Sequence, residues 1–368
     1  MRSISLLSNA KINLFFSVHG LRPDGYCEVS SVILPVNFGD KLTFSKIDPP
    51  HTPPAIAINV RPPIRDFDEK NNTILTAIDH FPKATKLENI GLKIDIEKNL
   101  DNQNNTILTA IDHFQKITKL ENIGLKIDIE KKIPIGGGFG GGSSNAICAL
   151  NALNALYGNI LPPAQYLQIA RNIGVDCPFF IQNCPQFATG RGDILRPLPR
   201  SFRKILSSYS VLLFCPTFAI STRAAYDKLK QNFPTLPAEK IIDQPLLRIK
   251  NIENIAISTR AAYDKLKQNF PTLPAEKIIN QPLLRIKNIE NIAHNIFQDS
   301  VLDAHPPLKS LFQRLRKCGY HPCLTGSGSG CFIMHRDRHF LERAEPIITE
   351  FLGALRLLAI TNFRATDV

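Results

Sequence analysis

The sequence predicts an α+β protein of two domains, and three observations carry that expectation. At 368 residues, 43% of them apolar, the chain can bury more than one core. Stretches of period-two alternation are interleaved with apolar residues at helix spacing. Between one such strand and one such helix lies PIGGGFGGGSSNAICAL at 134–150, with six glycines in seven positions. Such a run adds no side chain to a core. It suits backbone that must take φ > 0 or approach a ligand closely.

The flanks of this glycine run give it a direction. GLKIDI at 124–129 alternates as a strand does, and Ile147, Leu150, Leu153, Ala155 and Leu156 share helix spacing after it. Ser143 and Ser144 stand where a helix N-terminus takes its cap. Strand, glycine loop and helix start together place free N–H groups and the positive end of a helix dipole at one point, which makes an anion site and most economically a phosphate site. A Walker-type loop is excluded because no lysine follows the glycines. The pattern GxGxxG is met by Gly136, Gly138 and Gly141, but the ribose-binding acid expected about 20 residues on is missing, since the next carboxylate is Asp176. A flexible linker fits the glycines and not the apolar helix that follows.

Taken in order, 4–18 and 29–45 read as strands around a turn at 20–26, with Lys11 and Asn13 on one face by period two. Proline-rich 49–63 reads as a surface loop. Residues 71–98 then recur as 104–131, differing only at Pro82/Gln115 and Ala84/Ile117, and 219–255 recur as 256–292, differing only at Asp243/Asn280. Two near-identical copies do not make a solenoid, which stacks several divergent ones. Chain continuity selects the second copy of the first pair, because it runs into the glycine loop. For the second pair it selects the first copy, which follows a strand at 210–215, so Thr222 and Tyr226 are preferred to Thr259 and Tyr263. The spare units are expected as surface additions.

Pro162-Pro163 ends the glycine-loop helix, and 164–172 makes another. Asp176 follows in the apolar stretch GVDCPFF, where it is either a helix-end cap or a base improved by burial. A tight turn into a strand at 188–195 closes the first domain, giving 1–199 and 200–368 as the two. The second carries strands at 210–215, 331–334 and 357–360, helices at 307–318 and 339–353, and a second glycine-serine loop, LTGSGSGCFI at 324–333.

The formal charge of +12 is spread along the chain rather than gathered into a basic run with aromatics, so nucleic acid is not the expected partner. The eight cysteines form no CxxC pair and no zinc spacing, and read as reduced, mostly buried thiols of a cytoplasmic protein. The nine histidines show no ligand spacing and read as surface residues. Neither a signal peptide nor a membrane-spanning run is expected.

Four stretches in order, AKINL with RPDGY (10–14, 22–26), PIGGGFGGGSSNA, GVDCPFF and LTGSGS, resemble the motifs of the GHMP small-molecule kinases. That resemblance implies an N-terminal ATP domain like the second domain of ribosomal protein S5, and a ferredoxin-like C-terminal domain. It implies phosphoryl transfer from ATP, with Mg²⁺, to the hydroxyl of a small alcohol. The ending Ser-Ser-Asn-Ala is most similar to members that act on the 2-hydroxyl of a cytidyl diphosphate sugar alcohol in the non-mevalonate isoprenoid route. By resemblance, Lys11 and Asp176 are catalytic. Pro134, Ile135, Gly136, Gly137, Gly138, Phe139, Gly140, Gly141, Gly142, Ser143 and Ser144 hold ATP. Asn13, Tyr26, Cys27, Thr222 and Tyr226 bind the acceptor, the two tyrosines stacking the base, while Gly326, Ser327 and Gly328 support the phosphate loop. No protein metal ligands are assigned, and monomer or homodimer stays open. Removing one copy of each duplication, by offsets of 33 and 37, leaves 298 residues, a length the resemblance implies. Three positions depart from the family pattern: Cys27 stands for a histidine, Phe139 for a leucine, and Gly330 adds a glycine. The alternatives are a GHMP kinase of another alcohol, such as homoserine or mevalonate, and a nucleotide-binding relative without turnover.

Overall fold

A computed structural model describes residues 3–47, 56–61, 105–120, 124–218, 220, 225–226, 289 and 293–364. Among these, the chain forms an α+β structure of two compact units. One gathers residues 1–10, 39–133 and 140–181, the other 11–38, 134–139 and 182–368. This division by compactness does not follow the boundary at 199/200. Two long strands, β1 (Ser3–Leu21) and β2 (Cys27–Lys46), each contribute one end to either unit, so no single cut in sequence separates the two.

In the first unit, the far end of β2 pairs antiparallel with β4 (Leu125–Glu130), and β3 (Ile56–Arg61) pairs parallel with β4. The strand β3 corrects the reading of 49–63 as a loop. Ile56, Ile58 and Val60 alternate as a strand requires, but prolines on both sides mask the signal. Helix α1 (Thr106–Thr118) starts at Asn105, whose side chain accepts the Ile107 N–H, and ends at Lys119 in the left-handed region. Ile107, Ala110, Ile111 and Phe114 form its buried stripe. The helix packs on α2 (Gly141–Leu156) and α3 (Pro163–Ile173). The α1–β4 unit is the second copy of the first duplication, as continuity required. The first copy, 71–98, lies outside the described residues. A short helix, α4 (Cys177–Gln182), ends this unit.

In the second unit, the hairpin β5 (Gln186–Thr189) and β6 (Ile194–Pro197) pairs with β2 through β5. Helix α5 (Arg200–Leu206) leads into β7 (Ser210–Pro216). Chain order then gives β8 (His294–Asn295), α6 (Gln298–Ala304), α7 (Pro306–Lys317), β9 (Cys323–Leu324), β10 (Cys331–His335), α8 (Arg338–Glu342), α9 (Ala344–Leu352) and β11 (Leu355–Asn362). A four-stranded sheet runs β11-β7-β10-β9, with every pairing antiparallel. Its core joins Phe16, Val18, Leu212, Phe214, Phe297, Leu311, Phe312 and Ile348.

The helix expected over 339–353 is two helices that meet at Arg343. Pro346 has no N–H for the carbonyl four residues back, and its ring crowds that carbonyl, so one helix cannot run through. Histidine is not confined to the surface either: His19 and His294 are partly buried, and burial lowers the His294 pKa. Seven of the eight free cysteines are buried, and Cys318 is half-buried. Among the described residues, no helix is long and apolar enough to cross a membrane.

Candidate active site

The glycine loop has an alternating backbone. Gly136, Gly138 and Gly140 have φ of 68°, 76° and 73°, so every second residue is left-handed, which only glycine adopts without strain. Such alternation belongs to the backbone arrangement called a nest, and within it the Gly137 N–H donates to the Pro134 carbonyl at 3.4 Å. In the second unit, the carbonyl of Phe139 accepts from the Lys11 N–H (2.9 Å) and that of Gly137 from the Gly330 N–H (3.1 Å). The carbonyls are therefore engaged from behind.

Gly140 is also the N-cap of α2, and no side chain caps this helix. This corrects the expectation that Ser143 or Ser144 is the cap: the helix begins at Gly141, two residues ahead of Ser143 and three ahead of Ser144, so both lie in its first turn. Its leading N–H groups lie at the positive end of a 16-residue helix, where an anion is favoured. Asn145, 6% exposed, has an Oδ1 without a protein partner among the described residues.

The entry to the loop is pinned by Asp40. Its fully buried carboxylate accepts from the N–H groups of Lys132 and Ile133, 2.8 Å each, and pairs with the Lys131 ammonium. Burial pulls the Lys131 pKa down, and the Asp40 charge opposes the shift.

Lys11 and Asn13 share a face, as their spacing predicts. Lys11 is only 4% exposed, and its ammonium donates to Asn13 Oδ1 at 2.6 Å. The same oxygen accepts the Gly326 N–H (3.1 Å), while Asn13 Nδ2 donates to Ser31 Oγ (2.8 Å). The loop after β9 is held further by Asn13 N–H to Thr325 Oγ1 and by Asn295 Nδ2 to the carbonyls of Leu324 and Gly326. This loop is the turn of the β9–β10 hairpin and lies against Gly138, where an added Cβ would meet the Thr325 carbonyl. Ser327 is buried within it, beside Gly328.

Asp176 is half-buried, one residue ahead of α4, where Cys177 is fully buried. Burial, together with the Asp176 charge, pushes the Cys177 pKa up to about 12, and the Ser143 hydroxyl hydrogen-bonds this thiol.

The residues expected at the base end differ in exposure, and Cys27 and Tyr226 share one apolar cluster. Tyr26 is half-exposed, with the Arg191 guanidinium 4.9 Å from its ring centroid. Tyr226 packs edge-on against Phe297, 4.9 Å between centroids, beside the apolar cluster. Cys27 is buried in that cluster with Phe16, Val18 and Val29, so its thiol does not face solvent as a base contact would. Thr222 lies outside the described residues. Asp40 and Asn295, and Arg356, which reaches the Ile135 carbonyl, were not found in sequence: each acts on backbone far along the chain, and nothing in its neighbours signals that.

Alternating left-handed glycines leading into a helix without a side-chain cap are what the resemblance to the GHMP small-molecule kinases implies for this stretch. Residues 105–184 match the model for the GHMP kinases N terminal domain. The chain is 26% identical over 342 residues to the 4-diphosphocytidyl-2-C-methyl-D-erythritol kinase of Sulfurihydrogenibium, spanning 93% of this chain and 95% of that protein. The enzyme of the same name from Chloroherpeton thalassium is 31% identical over 229 residues, 62% of this chain and 64% of that protein. Among solved structures, a 4-(cytidine 5'-diphospho)-2C-methyl-D-erythritol kinase superposes with a TM-score of 0.59 at 22% identity over 98% of this chain and 99% of that one. A homoserine kinase from Cytophaga hutchinsonii gives 0.56 at 13% identity over 99% of this chain and 96% of that one, showing the shared fold.

Proposed function

We propose that the chain transfers the γ-phosphoryl group of ATP to the 2-hydroxyl of 4-diphosphocytidyl-2-C-methyl-D-erythritol, in the non-mevalonate route to isoprenoid precursors. The alternating left-handed backbone of the glycine loop carries the phosphoryl part of this reading. The acceptor comes from relatives of that one name that match nine-tenths of the chain.

Phosphoryl transfer asks the protein chiefly for positioning and charge stabilisation. The N–H groups of the glycine loop and of the first turn of α2 hold the triphosphate, apart from those of Gly137 and Ser144, which donate to the Pro134 and Gly140 carbonyls. Asp176 accepts the proton of the acceptor hydroxyl as its oxygen attacks the γ-phosphorus and ADP leaves. Lys11, oriented by Asn13, stabilises the negative charge that develops on the transferring oxygens. Mg²⁺ takes few protein oxygens and completes its shell with phosphates and waters. The Ser143 hydroxyl, in the first turn of α2, is a donor of that kind and would hold it; the ion supplies neutralisation of phosphate charge. Tyr26 offers an exposed ring for stacking the cytosine, and Gly326, Ser327 and Gly328 support the phosphate loop.

The test is ADP release by the purified chain with the cytidyl alcohol, with homoserine, with mevalonate and with no acceptor. Release with the cytidyl alcohol alone is expected. Release with another alcohol, or ATP binding without turnover, removes this acceptor. In the active protein, Asp176→Asn is expected to lower kcat by about 10²–10⁴-fold.

A further inference from the structure

Arg356 is the extra residue of a β-bulge. In the β11–β7 pair, Leu355 faces Pro216 and Leu357 faces Cys215, and the register shifts between them. A bulge re-aims one side chain, and here it sends the guanidinium across the end of β7. Nε donates to the Pro216 carbonyl (2.9 Å) and Nη1 to the Ile135 carbonyl (2.8 Å). Nη2 reaches Ser329 Oγ (2.9 Å), with the Phe218 carbonyl and Cys215 Sγ each at 3.3 Å. Every one of these acceptors is uncharged, and among the described residues Arg356 forms no ion pair. A planar fork whose donors end on separate stretches of chain fixes geometry in a way a point charge cannot.

The stretches it joins matter. Ile135 is the second residue of the glycine loop, and Ser329 lies in the loop that supports it. Two residues beyond Ile135, the Gly137 carbonyl accepts the N–H of Gly330, the residue after Ser329. Arg356 therefore ties the entry of the glycine loop to the same supporting loop that Gly330 ties to its middle.

We propose that Arg356 is a positioning residue for the nucleotide: it sets the glycine loop in its phosphate-binding shape before ATP arrives. The proposal rests on the kinase reading above. Without the clamp, ATP must order the loop as it binds, so affinity for the nucleotide falls while the chemical step is largely kept.

The experiment measures ATP binding to the full chain with Mg²⁺ by calorimetry, without acceptor, for the wild type, Arg356→Ala and Arg356→Lys. Arg356→Ala is expected to weaken ATP binding about tenfold or more, and Arg356→Lys, which keeps the charge and loses the fork, by less. In turnover, KM for ATP should rise while KM for the alcohol and kcat stay within about twofold. Ethylguanidinium should restore part of the ATP affinity of Arg356→Ala and leave the wild type unchanged. Equal ATP affinity in all three proteins overturns the proposal, even if melting temperatures differ, because that pattern belongs to a residue that only supports the fold. If Arg356→Ala does not fold, Arg356→Lys and Ser329→Ala decide: unchanged affinity in both overturns it. Since binding is read without acceptor, the wrong choice of alcohol leaves this test intact.

Discussion

The ring of Phe139 fills the space that a side chain at Gly330 would need. A Cβ built on Gly330 meets Cζ of that ring at 2.6 Å, with Cε2 and the Gly137 carbonyl closer still. Phe139 is 1% exposed. The Phe139 ring and the Gly137 carbonyl together leave no room for a side chain at 330, so two of the three departures from the pattern that the resemblance implies lie in contact.

This pairing predicts non-additive stability. Gly330→Ala overpacks the site and should cost about 1–3 kcal/mol. In the background of Phe139→Leu, the same change should cost less, with a coupling of at least about 0.5 kcal/mol. The relief is partial, because the Gly137 carbonyl still crowds the new methyl. Urea denaturation of the four proteins gives the coupling, and additive costs would contradict it.

How much could be read in advance follows from where the information sits. The glycine loop, its strand and its helix were legible because composition and periodicity are local, and Lys11 with Asn13 because period two is local. The helix cap was misplaced by three or four residues because Gly140 takes over capping through its backbone, and residue type alone favours the serines. β3 was hidden by the prolines around it. Asn295 and Arg356 act on backbone atoms of residues distant in sequence, and a bulge cannot be read from one strand.

Asn13 stands between three groups, and removing its side chain should show it. Asn13→Ala strips the Lys11 ammonium and the Gly326 N–H of a shared acceptor in a site that is 2% exposed. An orphaned buried polar group costs about 1–3 kcal/mol. A loss of at least about 2 kcal/mol is expected, with turnover falling as Lys11 loses its orientation. Thermal melting and initial rates check both, and a fully stable, fully active variant would falsify the role given to Asn13.

Cys27 is expected to matter to the core and not to the base. Cys27→Ala should cost about 1 kcal/mol of stability, while KM for the cytidyl alcohol stays within about twofold. Alkylation of the native chain extends the point. Thiolate is the reactive form, and burial pushes Cys177 and Cys323 up to about 12. At pH 8, mass spectrometry should therefore find Cys318 labelled first and those two unmodified until the chain unfolds.

Asp40 predicts a pH signature. Asp40→Ala leaves the Lys131 ammonium buried without its partner and two N–H groups without an acceptor, a loss of about 3–5 kcal/mol at neutral pH. Burial already holds the Lys131 pKa below its ordinary value of 10.5, and Asp40 is the group that opposes this. Its loss lowers the folded pKa further. Between that value and 10.5 the unfolded chain binds more protons than the folded one, so stability rises with pH. The deficit of Asp40→Ala relative to the wild type should then shrink between pH 7 and pH 10. A deficit that is flat or grows over that range would show that Lys131 does not carry it.

The first duplication supplies the last test. The described helix and strand, α1 and β4, belong to the second copy, and deleting residues 71–103 removes none of the described residues. The deletion joins Lys70 to Asn104 and shortens the connection from β3 to α1 by 33 residues. Closing a loop costs only about 0.6 kcal/mol per doubling of its length, so the shortened chain should be equal in stability or up to about 1 kcal/mol better. Its turnover should match the full chain. Deleting residues 104–136 instead leaves the first copy in place but takes away the start of the glycine loop, and should abolish ATP binding. A shortened chain without 71–103 that fails to fold or to turn over would mean that the first copy is part of the working structure, against the reading drawn from chain continuity.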